Sequence, residues 1–270
     1  MKIATWNING VKARIENLVA WLKESQPDIV CLQEIKTVDE GFPRADVEAL
    51  GYNIETHGQK GFNGVAILSK LPFDEVIRGL PGDDEDDQAR FIEGVFSVVD
   101  AKGRKTALRV VSLYLPNGNP ISEDRKFGYK LRWMARLERW AAERLRLEEP
   151  LVLAGDYNVI PEKEDARRWQ DWVNDALFQP ESRQAFRRLL SLGFTESIRS
   201  VTDSPEVYTF WDYQAGAWQK NNGIRIDHLL LSPEASNTLR GAVVEKHVRS
   251  WEKPSDHVPV AIDLEITVPV

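Results

Sequence analysis

The chain has 270 residues, 42% hydrophobic and 29% charged, which is the balance of a soluble globular protein long enough to bury a large core unaided. No apolar run approaches the ~18 residues that cross a bilayer, so no membrane partner is expected, and the single cysteine, Cys31, excludes an internal disulfide and fits a reducing, cytoplasmic setting. Net charge is −7, which argues on its face against nucleic acid. Five of the acids, however, form one run at Asp83, Asp84, Glu85, Asp86 and Asp87. Such a run is expected to be a solvated loop, and the global sign then says little about the field at one cleft.

In chain order, residues 2–7 (KIATWN) read as a short strand ending in a polar turn, and MKIATWNING turns polar too early for a signal peptide. Residues 11–23 carry apolar side chains at helical spacing and stop before Pro27. Residues 28–34 (DIVCLQE) read as a buried strand holding Cys31 as an inert thiol. A short helix over 46–50 closes at Gly51. Strands follow at 65–69, 91–99 and 108–115. A long helix over 125–147, with Leu131, Met134, Leu137 and Leu145 facing inward, ends at Pro150. Residues 151–158 (LVLAGDYN) are a strand buried on both faces, residues 166–176 and 182–192 are helix-like, and Gly193 caps the second helix. The aromatic 208–213 (YTFWDY) reads as a strand, as do 224–232 and the alternating 258–266. Helices and strands interleave without repeat or linker. One α/β domain over residues 1–270 is expected, built as two packed sheets with helices outside.

Polar residues stand at the ends of strands that otherwise read as core: Asn7, Glu34, Tyr114, Asp156 with Asn158, Asp227 with His228, and Asp256 with His257. Asp156 and Asn158 are two apart, so on extended chain they project the same way; the bland alternative is a strand followed by an Asx turn. If these ends meet, Glu34, Asp156, Asp227 and Asp256 crowd together and need a counter-charge. Without a Cys cluster, and with four histidines in all, all-oxygen ligation by Mg²⁺ or Mn²⁺ is the reading. A hard cation beside carboxylates, amides and an imidazole suits phosphoryl transfer to water. No Gly-rich phosphate loop of the Walker type is present.

WNING, LQE, YLPNG, GDYN, YTFWDY, RIDHLLLS and KPSDHVPV together resemble exodeoxyribonuclease III, of the abasic-site endonuclease family with the DNase I-like fold. The resemblance spans essentially the whole chain. It implies a four-layered α/β sandwich with the site at one edge of the two sheets, and a monomeric, cytoplasmic enzyme of bacterial type. Its partner would be double-stranded DNA with abasic sites or blocked 3′ ends. It implies Glu34 as main metal ligand helped by Asn7 and Asp256, with Asp156, Asn158 and His257 completing the metal-binding set. Asp156 would orient or deprotonate water, Asn158 hold it or the phosphate, His257 (oriented by Asp227) stabilise developing charge, and Tyr114 sit near the leaving oxygen. Phe210, Ile224 and Ile226 match a pocket for a flipped-out abasic sugar, with core packing the plainer reading for Ile226; Trp211 either wedges into the minor groove or braces its loop. A lipid-directed phosphodiesterase is disfavoured by YTFWDY and RIDHLLLS, and a catalytically silent binding module by the competent residue at every expected position.

Overall fold

The computed structural model describes residues 1–270. β1 (Lys2–Asn7), α1 (Ile15–Ser25) and β2 (Ile29–Gln33) open the chain, followed by α2 (Arg44–Glu48), β3 (Asn53–His57), β4 (Val65–Ser69) and β5 (Glu75–Arg78). Then come β6 (Phe91–Val99), β7 (Lys105–Tyr114), α3 (Tyr129–Leu145) and β8 (Leu151–Asp156). After three short 3-10 turns the chain forms α4 (Pro180–Ser191), β9 (Thr195–Glu196) and α5 (Ser197–Val201). It finishes with β10 (Asp227–Leu231), α6 (Pro233–Ser236), β11 (Leu239–Val244) and β12 (Val260–Leu264).

The strands form two six-stranded sheets, ordered β11-β12-β1-β2-β4-β3 and β5-β6-β7-β8-β10-β9. Each sheet has one parallel pair at its centre, β1 with β2 and β7 with β8, and antiparallel neighbours elsewhere. A parallel pair needs a crossover connection, supplied by α1 in one sheet and α3 in the other. α1 stops where Gln26 turns left-handed (φ 50) and its N–H bonds Leu22 O, just before Pro27.

Alternation along each strand divides its side chains between two layers. Ile3, Cys31, Ile67, Phe96, Val110, Val152, Leu229 and Ile262 fill the space between the sheets. The opposite faces carry Trp6, Val30 and Leu68 against Leu18 and Trp21 of α1. On the other sheet, Val111, Leu113 and Leu153 meet Trp133, Leu137 and Phe186 of α3 and α4. Truncating one such helix anchor to alanine costs about 3–5 kcal/mol. The result is helix, sheet, sheet, helix, as the resemblance implied. No helix is long and apolar enough to cross a membrane.

Near one edge the apolar layer gives way to a polar stitch. Gln33 Nε2 donates to Thr5 Oγ1 (3.0 Å) and Ser112 Oγ (3.1 Å), and Ser112 donates to Leu32 O (2.8 Å). This stitch ties the two sheets beneath the site.

Several expectations need correction. The first helix starts at Ile15 rather than residue 11; residues 11–14 form only a turn, with Arg14 N shared between Gly10 O (3.2 Å) and Val11 O (3.3 Å). Residues 166–176 hold only short 3-10 turns, around Trp169–Trp172 and Ala176–Phe178. YTFWDY forms no ladder strand: Phe210 makes isolated bridges to Ile224 and His257. The inner face of α3 is Lys130, Trp133, Met134, Arg136, Leu137, Trp140 and Ala141, with Leu131 half-buried. The half-exposed strands β3, β5 and β11 were not expected at all. The acidic run is not wholly solvated, since Asp86 is buried against Arg136 (2.7 Å) and the Tyr129 hydroxyl (2.9 Å).

Candidate active site

The topology gathers the polar strand ends. β1, β2, β7 and β8 run toward one edge, and the antiparallel β10 and β12 begin there; Asp156 is registered beside both Tyr114 and Asp227. Glu34 follows β2 in a left-handed conformation (φ 49), which breaks the strand and turns the carboxylate toward Asn7.

Asn7 is the hub. Its Oδ1 accepts from Asn9 N (3.0 Å), and its Nδ2 donates both to Glu34 Oε1 (2.9 Å) and to Asp156 Oδ2 (2.8 Å). In this arrangement Asn7 presents nitrogen, not oxygen, to the carboxylates. Lys36 Nζ lies 3.2 Å from Glu34 Oε2. Burial pushes the Glu34 carboxyl up, but Asn7, His257 and Lys36 together hold it below the usual range. Burial raises Asp156 well above an ordinary aspartate, with Asp227 and Glu34 adding to the effect and His257 and Asn7 opposing it.

His257 Nδ1 lies 2.8 Å from Asp227 Oδ2, and its Nε2 lies 3.6 Å from Asp156 Oδ2. Burial lowers the imidazole's affinity for a proton, yet Asp227, Asp156 and Asp256 overcome this and raise it well above the ordinary histidine value. The turn carrying His257 is sewn to β1: Ser255 Oγ donates to Asn7 O (2.6 Å), and Trp6 Nε1 donates to His257 O (3.1 Å).

Asn158 does not continue the strand. It is left-handed (φ 46), and its N–H bonds Asp156 Oδ1 (3.0 Å), so the strand ends in an Asx turn. The strand followed by an Asx turn is thus the alternative that holds; Asn158 is not extended chain beside Asp156, and its Nδ2 donates to Leu115 O (2.8 Å). The fully buried Lys130 secures this turn by donating to Asn158 O (2.5 Å) and Asn117 O (3.0 Å). Tyr114 has its phenol pushed up by burial and then by Glu34 and Asp156, while Arg90 lies 5.0 Å over its ring.

Glu34, Asp156 and His257 bring ligand atoms within 4.8 Å of one another. Asp256 stands beside this group, its carboxyl raised by burial and by Glu34 against the pull of His257. Asp227 Oδ1 is buried without a hydrogen-bond partner. An oxygen-rich, acid-heavy donor set with one imidazole and no thiolate fits a hard divalent cation.

Phe210 and Ile224 wall a cavity of about 380 Å³ whose rim carries Trp172, Asp175 and Asp212. Phe210 packs edge-on to His257 at 5.0 Å. Ile226 lies in the small core with Ile160, Leu177 and Phe178, not on the cavity wall. Trp211 is fully buried, and its indole donates to Asn221 Oδ1 (3.1 Å), which places it as a brace.

Behind the site lies a buried ionic knot. Arg225 bonds Asp165 Oδ1 (2.8 Å) and lies 3.0 Å from Glu196 Oε1 and 3.1 Å from His228 Nδ1. Arg199 also reaches Asp165 (2.7 Å), and His228 Nε2 meets Val159 O (3.2 Å). The knot thus grips the strand bearing Asp227 and the segment just after Asn158.

Residues 4–257 match the Endonuclease/Exonuclease/phosphatase family. The chain belongs to this family. Within the Endonuclease/Exonuclease/phosphatase family, it is 34% identical over 268 residues to exodeoxyribonuclease III of Haemophilus influenzae, covering 96% of this chain and 98% of that protein. It superposes on an AP endonuclease from Archaeoglobus fulgidus with a TM-score of 0.90 at 33% identity, covering 98% of this chain and 99% of that one. A 3′ phosphatase from Neisseria, bound to product DNA hairpin, gives 0.91 at 35% identity, covering 98% and 99%. The fold is therefore that of the DNase I-like members of the family. Sequence reading passed over Thr209, Ser255 and Lys130; for Ser255 the SDH triplet was the available signal.

Proposed function

We propose that this chain is a Mg²⁺-dependent DNA-repair nuclease that hydrolyses the phosphodiester bond 5′ of abasic sites in duplex DNA. It also removes 3′ phosphodiesters and 3′ phosphates and degrades 3′→5′ from ends. The observation that carries the reading is the convergence of Glu34, Asp156 and His257 beside a cavity walled by Phe210 and Ile224. Glu34, with Asp256 and Asp156 nearby, would hold Mg²⁺, with Mn²⁺ as a substitute. When bound, the ion supplies a Lewis acid that neutralises phosphate charge.

The protein's own groups do the rest. Asp156, its carboxyl raised toward the working range, takes a proton from water. His257, kept cationic by Asp227, meets a phosphate oxygen and stabilises the charge that grows on it. Tyr114 faces the leaving oxygen, and Asn158 holds the phosphate. Phe210 and Ile224 receive a sugar that carries no base, which is cheap to extrude because there is no base to unstack. The reading treats residues 1–270 as one catalytic domain, active as a monomer in the cytoplasm.

The test is a duplex with one abasic site, incubated with Mg²⁺ or with chelator. Metal-dependent nicking on the 5′ side is expected, and binding without nicking in Mg²⁺ would refute the assignment. Elution as a dimer on size exclusion would refute the monomer.

A further inference from the structure

Thr209 is the second residue of YTFWDY and is fully buried. Its Oγ1 accepts from Ile226 N (3.1 Å) and Asp227 N (3.2 Å). A hydroxyl has two acceptor lone pairs and one proton. With both lone pairs taken, the proton is committed to the remaining partner, Asp227 Oδ2, at 2.6 Å. That same oxygen faces His257 Nδ1 at 2.8 Å. The Thr209 main chain is also clamped from both sides: its N–H donates to Ile224 O (2.9 Å), and its carbonyl accepts from Val258 N (2.9 Å). Thr209 therefore joins the segment that carries Asp227 to the segment that carries His257.

The terminal torsion of an aspartate is broad. Asp227 Oδ1 has no hydrogen-bond partner, so only Thr209 and His257 set the rotation of this carboxylate. We infer that Thr209 is a positioning residue for the reaction: its hydroxyl pins Asp227 so that Oδ2 holds the imidazole of His257 and aims its Nε2 at Asp156. Thr209 touches no substrate and acts only through Asp227. The chain Thr209 → Asp227 ← His257 is built into the fold by main-chain and side-chain bonds of the protein itself. Its kinetic consequence rests on the nuclease reading above, but its geometry does not.

Two experiments test it. In the first, abasic-duplex cleavage is measured at saturating Mg²⁺ for Thr209→Val and Thr209→Ser, alone and with Asp227→Ala. Losing a hydrogen bond to a charged group predicts a kcat about 10- to 100-fold lower for Thr209→Val. KM should stay within about threefold, as for an interaction made in the transition state. Thr209→Ser should recover most of the loss. In the Asp227→Ala background Thr209→Val should cost less than about twofold more, because residues acting as one unit are not additive. Turnover of Thr209→Val within twofold of the parent, or equal losses in both backgrounds, overturns the inference.

In the second, proton NMR of histidine-labelled, metal-free protein reads the His257 Nδ1 proton. A downfield, slowly exchanging resonance is expected in the parent and in Thr209→Ser. An exchange-broadened proton in the parent overturns the inference even if Thr209→Val fails to fold. A parent chain that keeps this resonance yet nicks no abasic duplex refutes the nuclease reading and supports the positioning chain.

Discussion

Replacing Glu196 by glutamine removes one charge from the knot behind the site, and the effect can be worked out in advance. Burial alone raises the Glu196 carboxyl, but Arg225, then His228 and the Arg199 N–H, outweigh it and bring it down to about 2 from an ordinary 4.5. At 1.36 kcal/mol per pH unit, that drop corresponds to roughly 3 kcal/mol of stability. The side chain is only 7% exposed, so solvent screening takes little from this figure. Because the folded-state value is depressed, the native protein holds fewer protons than the unfolded chain between pH 4.5 and 2. The stabilisation is therefore complete above 4.5 and is lost as pH falls toward 2. Urea unfolding followed by tryptophan fluorescence, from pH 7 to pH 2.5, reads this directly. Glu196→Gln should be about 3 kcal/mol less stable than the parent at pH 7, and the gap should close across that acid window. A gap below 1 kcal/mol at neutral pH, or one that stays constant on acidification, refutes the argument.

Other perturbations give sharper local readouts. Asp156→Asn keeps the side-chain shape but removes the proton acceptor, and leaves one oxygen to accept from only one of Asn7 Nδ2 and Asn158 N. Nicking should fall by about three orders of magnitude or more while the far-ultraviolet circular dichroism stays that of the folded parent, and near-normal turnover would remove Asp156 from the chemistry. Glu34→Ala should raise the Mg²⁺ concentration for half-maximal activity at least about tenfold, with partial rescue at high Mg²⁺ or Mn²⁺. Thermal shift with Mg²⁺ alone should shrink in parallel, and an unaltered metal titration would dismiss Glu34 as a ligand. Gly155→Ala places a Cβ 2.1 Å from Leu113 O, a backbone atom inside the sheet. A loss of about 3 kcal/mol or more is expected by denaturant melt, and a change under 1 kcal/mol would contradict the packing.

What was legible depended on how each element announces itself. Strands rich in buried apolar residues, such as Val65–Ser69 and Phe91–Val99, stand out from their surroundings, and their bounds agree with the sequence reading. The half-exposed strands Asn53–His57, Glu75–Arg78 and Leu239–Val244 mix charge with apolar residues, and the last also slips register near Gly241, so no period marks them. YTFWDY has the composition of a strand, but its backbone partners are a bridge here and a turn there; aromatic content reports burial as much as extension. Residues 166–176 have helical composition, yet Ala166 pairs with Ile224 and Arg167 N bonds Gly223 O, so tertiary pairing overrides local preference. Of the site, the acids, amides and His257 showed themselves as polar endings of apolar runs. Thr209 and Lys130 did not, because their roles arise from partners brought in by folding, and nothing in their immediate neighbours marks them.

Glu34 and Asn158 both sit at positive φ, in a region that non-glycine residues enter only at a steric cost of about 1 kcal/mol or more. At these two corners the most comfortable backbone and the most useful side chain are different amino acids. A screen that rewarded heat resistance alone would favour glycine at Glu34, relaxing the bend and thinning the crowd of carboxylates while discarding the ligand. Such a variant would be a sturdier molecule and a poorer catalyst, so thermostability engineering of this protein has to leave those two positions alone and look to the far ends of the sheets.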